Sequence, residues 1–397
     1  MPYLDFSHIR AWCDTGTQPA DFDIVTVVRG ELLDACQQAS DANQQERICY
    51  EHWQNMLGEY DWQPSFQGRP QVIYFVDATP SCHLTALQWY LQTQCLDMDQ
   101  VHVVIPMHLN SGQWWRDWCH QARVRGFNLH DWTPGETFWM RRDDPQNLRI
   151  DWQQAWQSKL ESVHKTFSLF GGSYPALDRC YLVLCFSDPE FAQHGLIDFH
   201  GKPGPRMPGK TFAERQAMAA YCESLSNFKD TLHVEEILEI YDRVIKDGRY
   251  QTTLPTQQYA YELDISVNLG NTMAWRINQS CWFNVVRETM DDHCFAMCSE
   301  KTLRPFAHFS IPLPMGFDAA RSLRDLGFRL YDDIIDYSYL EHHNYMHRVR
   351  AAKQQLGQYL GKDLRDYWQS HQDQFWHNAQ LAWDMAKGNL GSKLKLS

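Results

Sequence analysis

Short apolar runs alternate with longer stretches of mixed polar and apolar spacing along the first third of the chain. Three runs rich in β-branched residues predict buried strands at 22–28, 71–77 and 101–107. Three stretches with helical spacing follow these runs, at 31–58, 83–95 and 112–125. Strands that alternate with helices indicate a parallel sheet covered by helices, and such sheets bind their ligands beyond the strand C-termini.

A second series of strands and helices begins at Phe167. Spacing and turn residues predict helices at 180–186, 211–225, 234–247 and 318–326. Gly327 is a C-cap for the last of these helices. A strand-like run occupies 259–267, 306–314 is a buried apolar segment, and 341–390 is mostly helical with a break near Gly361.

These patterns predict an α/β fold with two Rossmann-like domains and a helical C-terminus, which suits a length of 397 residues. We place the N-terminal domain at 1–165, the C-terminal α/β domain at 166–345, and helices that pack back on the domains at 346–397. The predicted connection between the domains is 133–165, a stretch rich in Trp, Gln and Asp.

Composition narrows the class of protein. A hydrophobic fraction of 44% and a charged fraction of 21% are typical of a soluble globular chain. The net charge of −13 argues against broad non-specific binding to nucleic acid, which needs basic surface. The 12 cysteines form no Cys-x-x-Cys pair, which indicates a reduced cytoplasmic compartment. Because the N-terminus lacks a signal-peptide pattern and apolar runs stay short, we expect neither secretion nor membrane spanning.

The densest polar motif has two halves, FNVVRET at 283–289 and SEKTLRP at 299–305. The second half starts a predicted helix, where a carboxylate can accept hydrogen bonds from ribose hydroxyls. Its cations and the free amides of the helix N-terminus can hold phosphates. Taken alone, Ser299-Glu300-Lys301 also fits a solvated helix start with a capping serine.

The segment 283–339 resembles a family of glycosyltransferase-like proteins found in bacteriophages and marine bacteria. The resemblance covers FNVVRET, the block from Phe295 to Pro305, and the block LRDLGFRLYDDIIDYSY at 323–339. Upstream, YPALDR at 174–179 looks like a degraded form of the family's Arg-Pro-Arg-Pro-His-Arg segment. The chain departs from the family pattern in two places. The first arginine of that upstream segment is lost, and Pro312-Leu-Pro314-Met-Gly316 stands where the family has a glycine-rich stretch.

The Glu-Lys block also looks like the donor motif of α-1,3-fucosyltransferases, which have the GT-B arrangement of two domains. This resemblance implies that Glu300 binds ribose, that Lys301 binds the diphosphate, and that Arg179 is a second phosphate cation. The implied donor-binding set is Arg179, Asn284, Glu288, Ser299, Glu300, Lys301 and Arg304. The donor is then a nucleotide diphosphate sugar used as a substrate, with no metal and no tightly bound cofactor.

The resemblance predicts a glycosyltransferase, whose general base would come from the N-terminal domain. The candidates for that base are Asp77, His108 and Glu136, each of which also fits a cap or a surface role. A hydroxymethylated phage DNA base is one candidate acceptor and a glycan is the alternative. Trp114, Trp115 and Trp118 have two readings, a stacking platform for such a base or core packing, and core packing is favoured. A phage origin would place the protein in the host cytoplasm.

Two other classes stay open: a non-catalytic nucleotide-sugar-binding protein and a structural phage component. The alternating α/β layout disfavours the structural component. Two groups of residues have spacings that metal sites use. The histidines at 342, 343 and 347 also fit an ordinary helix face, and the acids at 332, 333 and 336 also fit the start of a helix, where the dipole favours negative charge.

Overall fold

The computed structural model describes residues 3–5, 23–27, 51, 71–75, 81–93, 97–106, 108–109, 111–132, 152–172, 177–199, 214–225, 231–243, 280–288, 296–297, 300–386 and 393–395. Most of the predicted helix at 31–58, the strand-like run at 259–267 and the first part of the predicted connection lie outside these residues. The chain divides into two compact units. The first comprises Met1–Pro134, Asp292–Ser299 and Gly388–Ser397, and the second comprises Gly135–Asp291 and Glu300–Lys387.

The described strands are β1 (Tyr3–Asp5), β2 (Asp23–Val27), β3 (Gln71–Phe75), β4 (Val101–Pro106), β5 (His108–Leu109), β6 (Asn128–Trp132), β7 (Lys165–Gly172), β8 (Gly195–Phe199), β9 (Cys281–Val286), β10 (Ala296–Met297), β11 (Ile311–Pro314) and β12 (Lys393–Lys395).

The described α-helices are α1 (Ser81–Thr93), α2 (Ser111–Ala122), α3 (Trp152–Ser162), α4 (Leu177–Phe186), α5 (Pro189–Ala192), α6 (Arg215–Leu225), α7 (Thr231–Tyr241), α8 (Glu300–Ala307), α9 (Ala319–Asp325), α10 (Tyr345–Gly357), α11 (Arg365–Ser370) and α12 (Gln372–Ala386). Two 3-10 helices span Met98–Gln100 and Tyr337–Glu341.

The first unit contains a parallel sheet in the order β2-β3-β4-β6. The side chains of Val101, Val103 and Ile105 in β4 are buried, because helices cover a parallel sheet on both faces. Helix α2 contributes Trp115 to this core, where its ring stacks on Phe127 with 4.2 Å between centroids. The three strands and two of the helices predicted for this part of the chain are therefore confirmed.

The second unit contains a parallel sheet in the order β11-β9-β7-β8. All six residues of β9 are buried. Helix α4 packs against α6, α7 and α10, whereas α8 packs against α12. Two units, each built on a parallel sheet with helices, confirm the predicted fold class of two Rossmann-like domains. The GT-B arrangement concerns the placement of one unit against the other and stays a prediction.

Among the described strands of the second sheet, β11 lies at an edge, and it contains two prolines. Proline has no N–H to donate, so it is tolerated in an edge strand and not in a central one. The 3-10 helix at Tyr337–Glu341 covers this edge: the Tyr339 hydroxyl donates to the carbonyl of Pro314 at 2.8 Å, and Tyr337 donates to Pro312 at 3.3 Å. The end of the block at 323–339 thus covers a sheet edge at the stretch where the chain departs from the family pattern.

The C-terminal part of the second unit is helical, as predicted. Gly327 follows α9 with a φ of 95°, and Gly361 follows α10 with a φ of 71°. These left-handed conformations end helices and favour glycine, which confirms both predicted stops. None of the described helices is both long and apolar enough to cross a membrane.

Candidate functional site

The strand order of the second sheet reverses at one point. From β7 the chain passes through α4 to β8 on one side, and from β9 it passes through α8 to β11 on the other side. Right-handed crossovers then put α4 and α8 on opposite faces, which opens a crevice between the C-terminal ends of β7 and β9. The described strands of the first sheet follow chain order without such a reversal. Hence this crevice is the candidate site.

The two segments that leave β7 and β9 meet at the crevice through an ion pair. The guanidinium of Arg287, which follows β9, pairs through Nη2 with the carboxylate of Asp178 in the first turn of α4. The two side chains are 7% and 15% exposed. Arg287 also donates through Nη1 to the backbone carbonyl of Glu288, and the Asp178 carboxylate accepts a hydrogen bond from the Arg179 N–H at 2.9 Å.

Helix α8 is tied to the same place by a second buried contact. The Thr302 hydroxyl donates to the carboxylate of Glu288 at 2.5 Å, and both side chains are buried. Glu288 belongs to the first half of the sequence motif, whereas Thr302 lies in the first turn of α8 and belongs to the second half. This hydrogen bond holds the start of α8 next to the end of β9.

The predicted donor-binding residues lie at different positions along the helices and strands that form this site. Lys301 and Arg179 lie in the first turns of α8 and α4 and are both half-buried. The backbone of Glu300 starts α8, as predicted, but its side chain lies outside the described part of the chain, as does all of Ser299. Asn284 lies inside β9, where its side chain donates to the Ser168 hydroxyl of β7 and joins the two strands beneath the crevice.

Arg304 lies in the last turn of α8, roughly 6 Å along the helix axis from Glu300. Its charge acts on His308, which follows the helix. Burial, together with the charges of Arg304 and Lys159, lowers the pKa of His308 to about 3. His308 therefore stays neutral in the ordinary pH range. Because α8 runs from the end of β9 back toward the start of β11, Arg304 lies nearer than Lys301 to the opposite, N-terminal edge of the sheet.

That opposite edge is held by a buried lysine. Lys159 of α3 donates through Nζ to the carbonyl of Cys281 at the start of β9 and to the Ser310 hydroxyl, at 2.7 Å, just before β11. Its side chain is fully buried, and burial lowers the pKa of the ammonium to about 7. This lysine joins three elements far from the crevice, so we assign it a structural role.

The predicted catalytic residues are described only in part. Asp77 and Glu136 lie outside the described residues. His108 lies in β5, whose backbone pairs with β10 in antiparallel register opposite Met297, and its side chain is outside the description. Of the predicted stacking tryptophans, Trp115 is a core residue at 3% exposure, and Trp114 and Trp118 pack against the same core.

The residues with metal-like spacing have local partners. Asp332 pairs with Arg324 at 2.6 Å, and Asp333 accepts a hydrogen bond from the Tyr367 hydroxyl at 2.8 Å. The His343 ring stacks on Phe317 with 4.5 Å between centroids. Asp336 caps the 3-10 helix that follows it. Within the described residues, no group of three or more histidine, cysteine and acidic side chains is placed to hold a metal ion.

Sequence reasoning did not assign a role to Arg287, Asp178 or Thr302. A partial signal was present for Arg287, because this charged residue directly follows the largely apolar run at 281–286, but only the structure shows that the run is a strand of the parallel sheet. Asp178 and Thr302 carried no such signal. Their partners lie 109 and 14 residues away in the chain, and only the folded structure brings them together.

No protein-family model matches this chain, and no curated protein matches it. Among solved structures, the chain is similar to an α,α-trehalose-phosphate synthase (UDP-forming) from Burkholderia vietnamiensis, at 9% identity and a TM-score of 0.38. The alignment covers 97% of this chain and 76% of that chain. At this identity and TM-score, the function has to be derived from the residues of the chain itself.

Proposed function

We propose that the crevice of the second unit binds the diphosphate of a nucleotide sugar, and that the protein is a glycosyltransferase. The observation that carries this proposal is the buried hydrogen bond between Thr302 and Glu288. It joins the two halves of the donor-like motif at the reversal of strand order. Open α/β sheets bind their ligands at that reversal.

The groups around the crevice suit the chemistry of glycosyl transfer. The departing diphosphate gains negative charge as the sugar leaves, so cations and oriented amides that face it stabilise the transition state. Lys301, Arg179 and the first-turn amides of α8 supply these groups in the proposal. Glu300 accepts the hydrogen bonds of the ribose hydroxyls, and Ser299 completes the helix start.

The acceptor side is proposed for the first unit, in keeping with the GT-B resemblance. The general base that deprotonates the acceptor hydroxyl is then one of Asp77, His108 and Glu136. A net charge of −13 favours a glycan over DNA as the acceptor, because DNA binding draws on basic surface. A hydroxymethylated DNA base is the second acceptor to test.

The proposal is tested first by binding of the nucleotide. Thermal unfolding is measured with uridine, guanosine and thymidine diphosphates and with the corresponding nucleotide sugars, because a ligand of the folded state raises the unfolding temperature. One nucleotide should stabilise the wild type, and Lys301→Ala should lose that stabilisation. Lys362→Ala, which removes an exposed lysine of the same unit, should keep it. Equal stabilisation of Lys301→Ala and wild type contradicts the donor site.

Turnover is then measured with the sugar form of the stabilising nucleotide. Release of the nucleoside diphosphate, alone or with glycan and hydroxymethylated DNA acceptors, identifies a transferase. Binding without release under all of these conditions identifies a non-catalytic nucleotide-sugar-binding protein instead. Asp77→Asn, His108→Gln and Glu136→Gln then separate the base candidates, since loss of the base lowers kcat without loss of donor affinity.

A further inference from the structure

The ion pair between Arg287 and Asp178 stands where the two walls of the crevice meet. Its side chains are only 7% and 15% exposed. Other pairs of the same type are much more open: Arg324 and Asp332 are 48% and 58% exposed. The pair between Arg287 and Asp178 is thus largely withdrawn from solvent, as a pair inside a crevice would be.

Two nitrogen atoms of the Arg287 guanidinium make separate contacts. Nη1 donates to the backbone carbonyl of Glu288, and Nη2 contacts Asp178. The first contact anchors the guanidinium to the end of β9 whatever partner the second nitrogen has. The Asp178 carboxylate likewise has a second partner, the Arg179 N–H at 2.9 Å from Oδ1. Each member of the pair therefore keeps a hydrogen bond if the contact between them opens.

A phosphate group is a suitable replacement for the carboxylate. Guanidinium groups bind carboxylates and phosphates with the same planar arrangement of donors, and both contacts are charge-assisted. Breaking a buried ion pair is costly when one charge is left alone, but an arriving phosphate leaves the guanidinium paired. The exchange thus avoids an uncompensated Arg287.

We propose that Arg287 is a phosphate-binding cation of the crevice, and that Asp178 is its internal counter-ion, which the phosphate displaces. This inference rests on the proposed diphosphate site. It adds Arg287 to the residues that bind phosphate and makes Asp178 the group that limits the affinity. Asp178 then weakens phosphate binding in the wild type, both by occupying Arg287 and by placing a negative charge beside the ligand. Such a counter-ion favours release of the nucleoside diphosphate after transfer.

The test uses Asp178→Asn, which keeps the shape of the side chain and its acceptor for the Arg179 N–H. Affinities for uridine diphosphate, guanosine diphosphate and inorganic pyrophosphate are measured by calorimetry. We expect Asp178→Asn to bind at least one of them about tenfold more tightly than wild type, because the substitution removes a negative charge beside the ligand and frees Arg287 for it. The double variant Asp178→Asn/Arg287→Gln should lose this gain. Asp332→Asn, which opens an exposed pair of the same unit, should match wild type.

Unchanged or weaker affinity in Asp178→Asn, with wild-type binding intact, overturns the counter-ion and leaves the donor site standing. A gain that survives in the double variant overturns the role of Arg287. Absence of binding in wild type together with binding by Asp178→Asn contradicts a donor site that works in the wild type, but supports Asp178 as the group that occupies Arg287. If neither wild type nor Asp178→Asn binds any of these ligands, the donor site and the counter-ion are both rejected. Asp178→Ala replaces Asp178→Asn if the latter does not fold, as judged by its unfolding temperature.

Discussion

The hydroxyl of Thr302 donates to the carboxylate of Glu288 at 2.5 Å, and neither side chain is more than 2% exposed. The contact joins the end of β9 to the first turn of α8 across 14 residues of chain. The contact thereby joins the two halves of the sequence motif. The half at 283–289 provides the carboxylate that accepts the hydrogen bond, and the half at 299–305 provides the start of the helix beside the crevice.

Removing this hydroxyl should loosen α8. Thr302→Val keeps the volume of the side chain but takes a donor from a buried carboxylate, so we expect a loss of about 1–3 kcal/mol in the free energy of unfolding. Nucleotide affinity should fall as well, because the helix start moves. Denaturant unfolding and nucleotide titration check both effects. Thr302→Ser, which retains the hydroxyl, is the matched control, and wild-type behaviour of Thr302→Val contradicts the role assigned to the contact.

Lys159 should make the stability of the second unit depend on pH. Burial lowers its pKa from 10.5 to about 7, so the unfolded chain binds more protons than the folded one between these values. The lysine therefore destabilises the fold at pH 7 and below, and this penalty fades as the pH rises toward 10.5. Lys159→Met removes the charge and leaves the Ser310 hydroxyl beside the Cys281 carbonyl at 3.4 Å.

We expect the stability advantage of Lys159→Met over wild type to be about 2 kcal/mol larger at pH 7 than at pH 9. The measurement is denaturant unfolding of both proteins at each pH. Lys165→Met is the control, because Lys165 is only half-buried. A difference between Lys159→Met and wild type that does not change with pH is inconsistent with the lowered pKa.

The first unit should lose stability in mild acid through two histidines. Nδ1 of His102 and Nε2 of His130 lie 3.0 Å apart, so one ring donates an N–H hydrogen bond that the other ring nitrogen accepts. Burial lowers both pKa values to about 4, and for His102 the nearby His130 adds to the effect. The stability that the neutral pair provides is present above the ordinary pKa of 6.5 and is lost as the pH falls toward 4.

Amide hydrogen exchange of β4 reports this loss, because it measures local opening of that strand. Between pH 7 and pH 5 we expect its opening free energy to fall by roughly 2 kcal/mol in wild type. The double variant His102→Gln/His130→Gln should show a much smaller change. His120→Gln, which replaces an exposed histidine of α2, should behave like wild type. An equal fall in the double variant would assign the acid sensitivity to other groups.

Gly195 should not tolerate a methyl group. It begins β8, and a Cβ built on it would lie 2.7 Å from Cε2 of Phe167, a ring that is itself fully buried. Because that ring packs against Phe186 and Phe191, it has little room to move, and we expect Gly195→Ala to cost about 1–3 kcal/mol. Thermal unfolding measures this cost.

Gly112→Ala is the matched control for that experiment. Gly112 lies in α2, and a Cβ there would meet its nearest atom at 3.6 Å. Alanine is a better helix former than glycine by about 1 kcal/mol, so this variant should be neutral or stabilising. If both alanine variants unfold alike, the close approach of Gly195 to Phe167 is not what selects glycine at this position.

By itself, the sequence determined which residues form strands and helices over most of the described chain, and it determined the α/β class. Periodicity achieves this because it reports whether each side chain faces the core, which is a local property. The stops at Gly327 and Gly361 followed equally well, since a left-handed residue is a local requirement. The motif halves at Glu288 and Thr302 were also visible as polar runs.

Tertiary structure alone decided the order of the strands, and with it the place of the crevice. It also decided that Arg287 meets Asp178 across 109 residues and that Lys159 meets Ser310 across 151. It likewise placed Asn284 of β9 opposite Ser168 of β7, whose hydroxyl accepts a hydrogen bond from the Asn284 side chain, whereas a role of Asn284 in donor binding stays a prediction. Such pairings depend on which strands become neighbours. Local patterning leaves that choice open, since every buried strand of a parallel sheet has the same apolar signature.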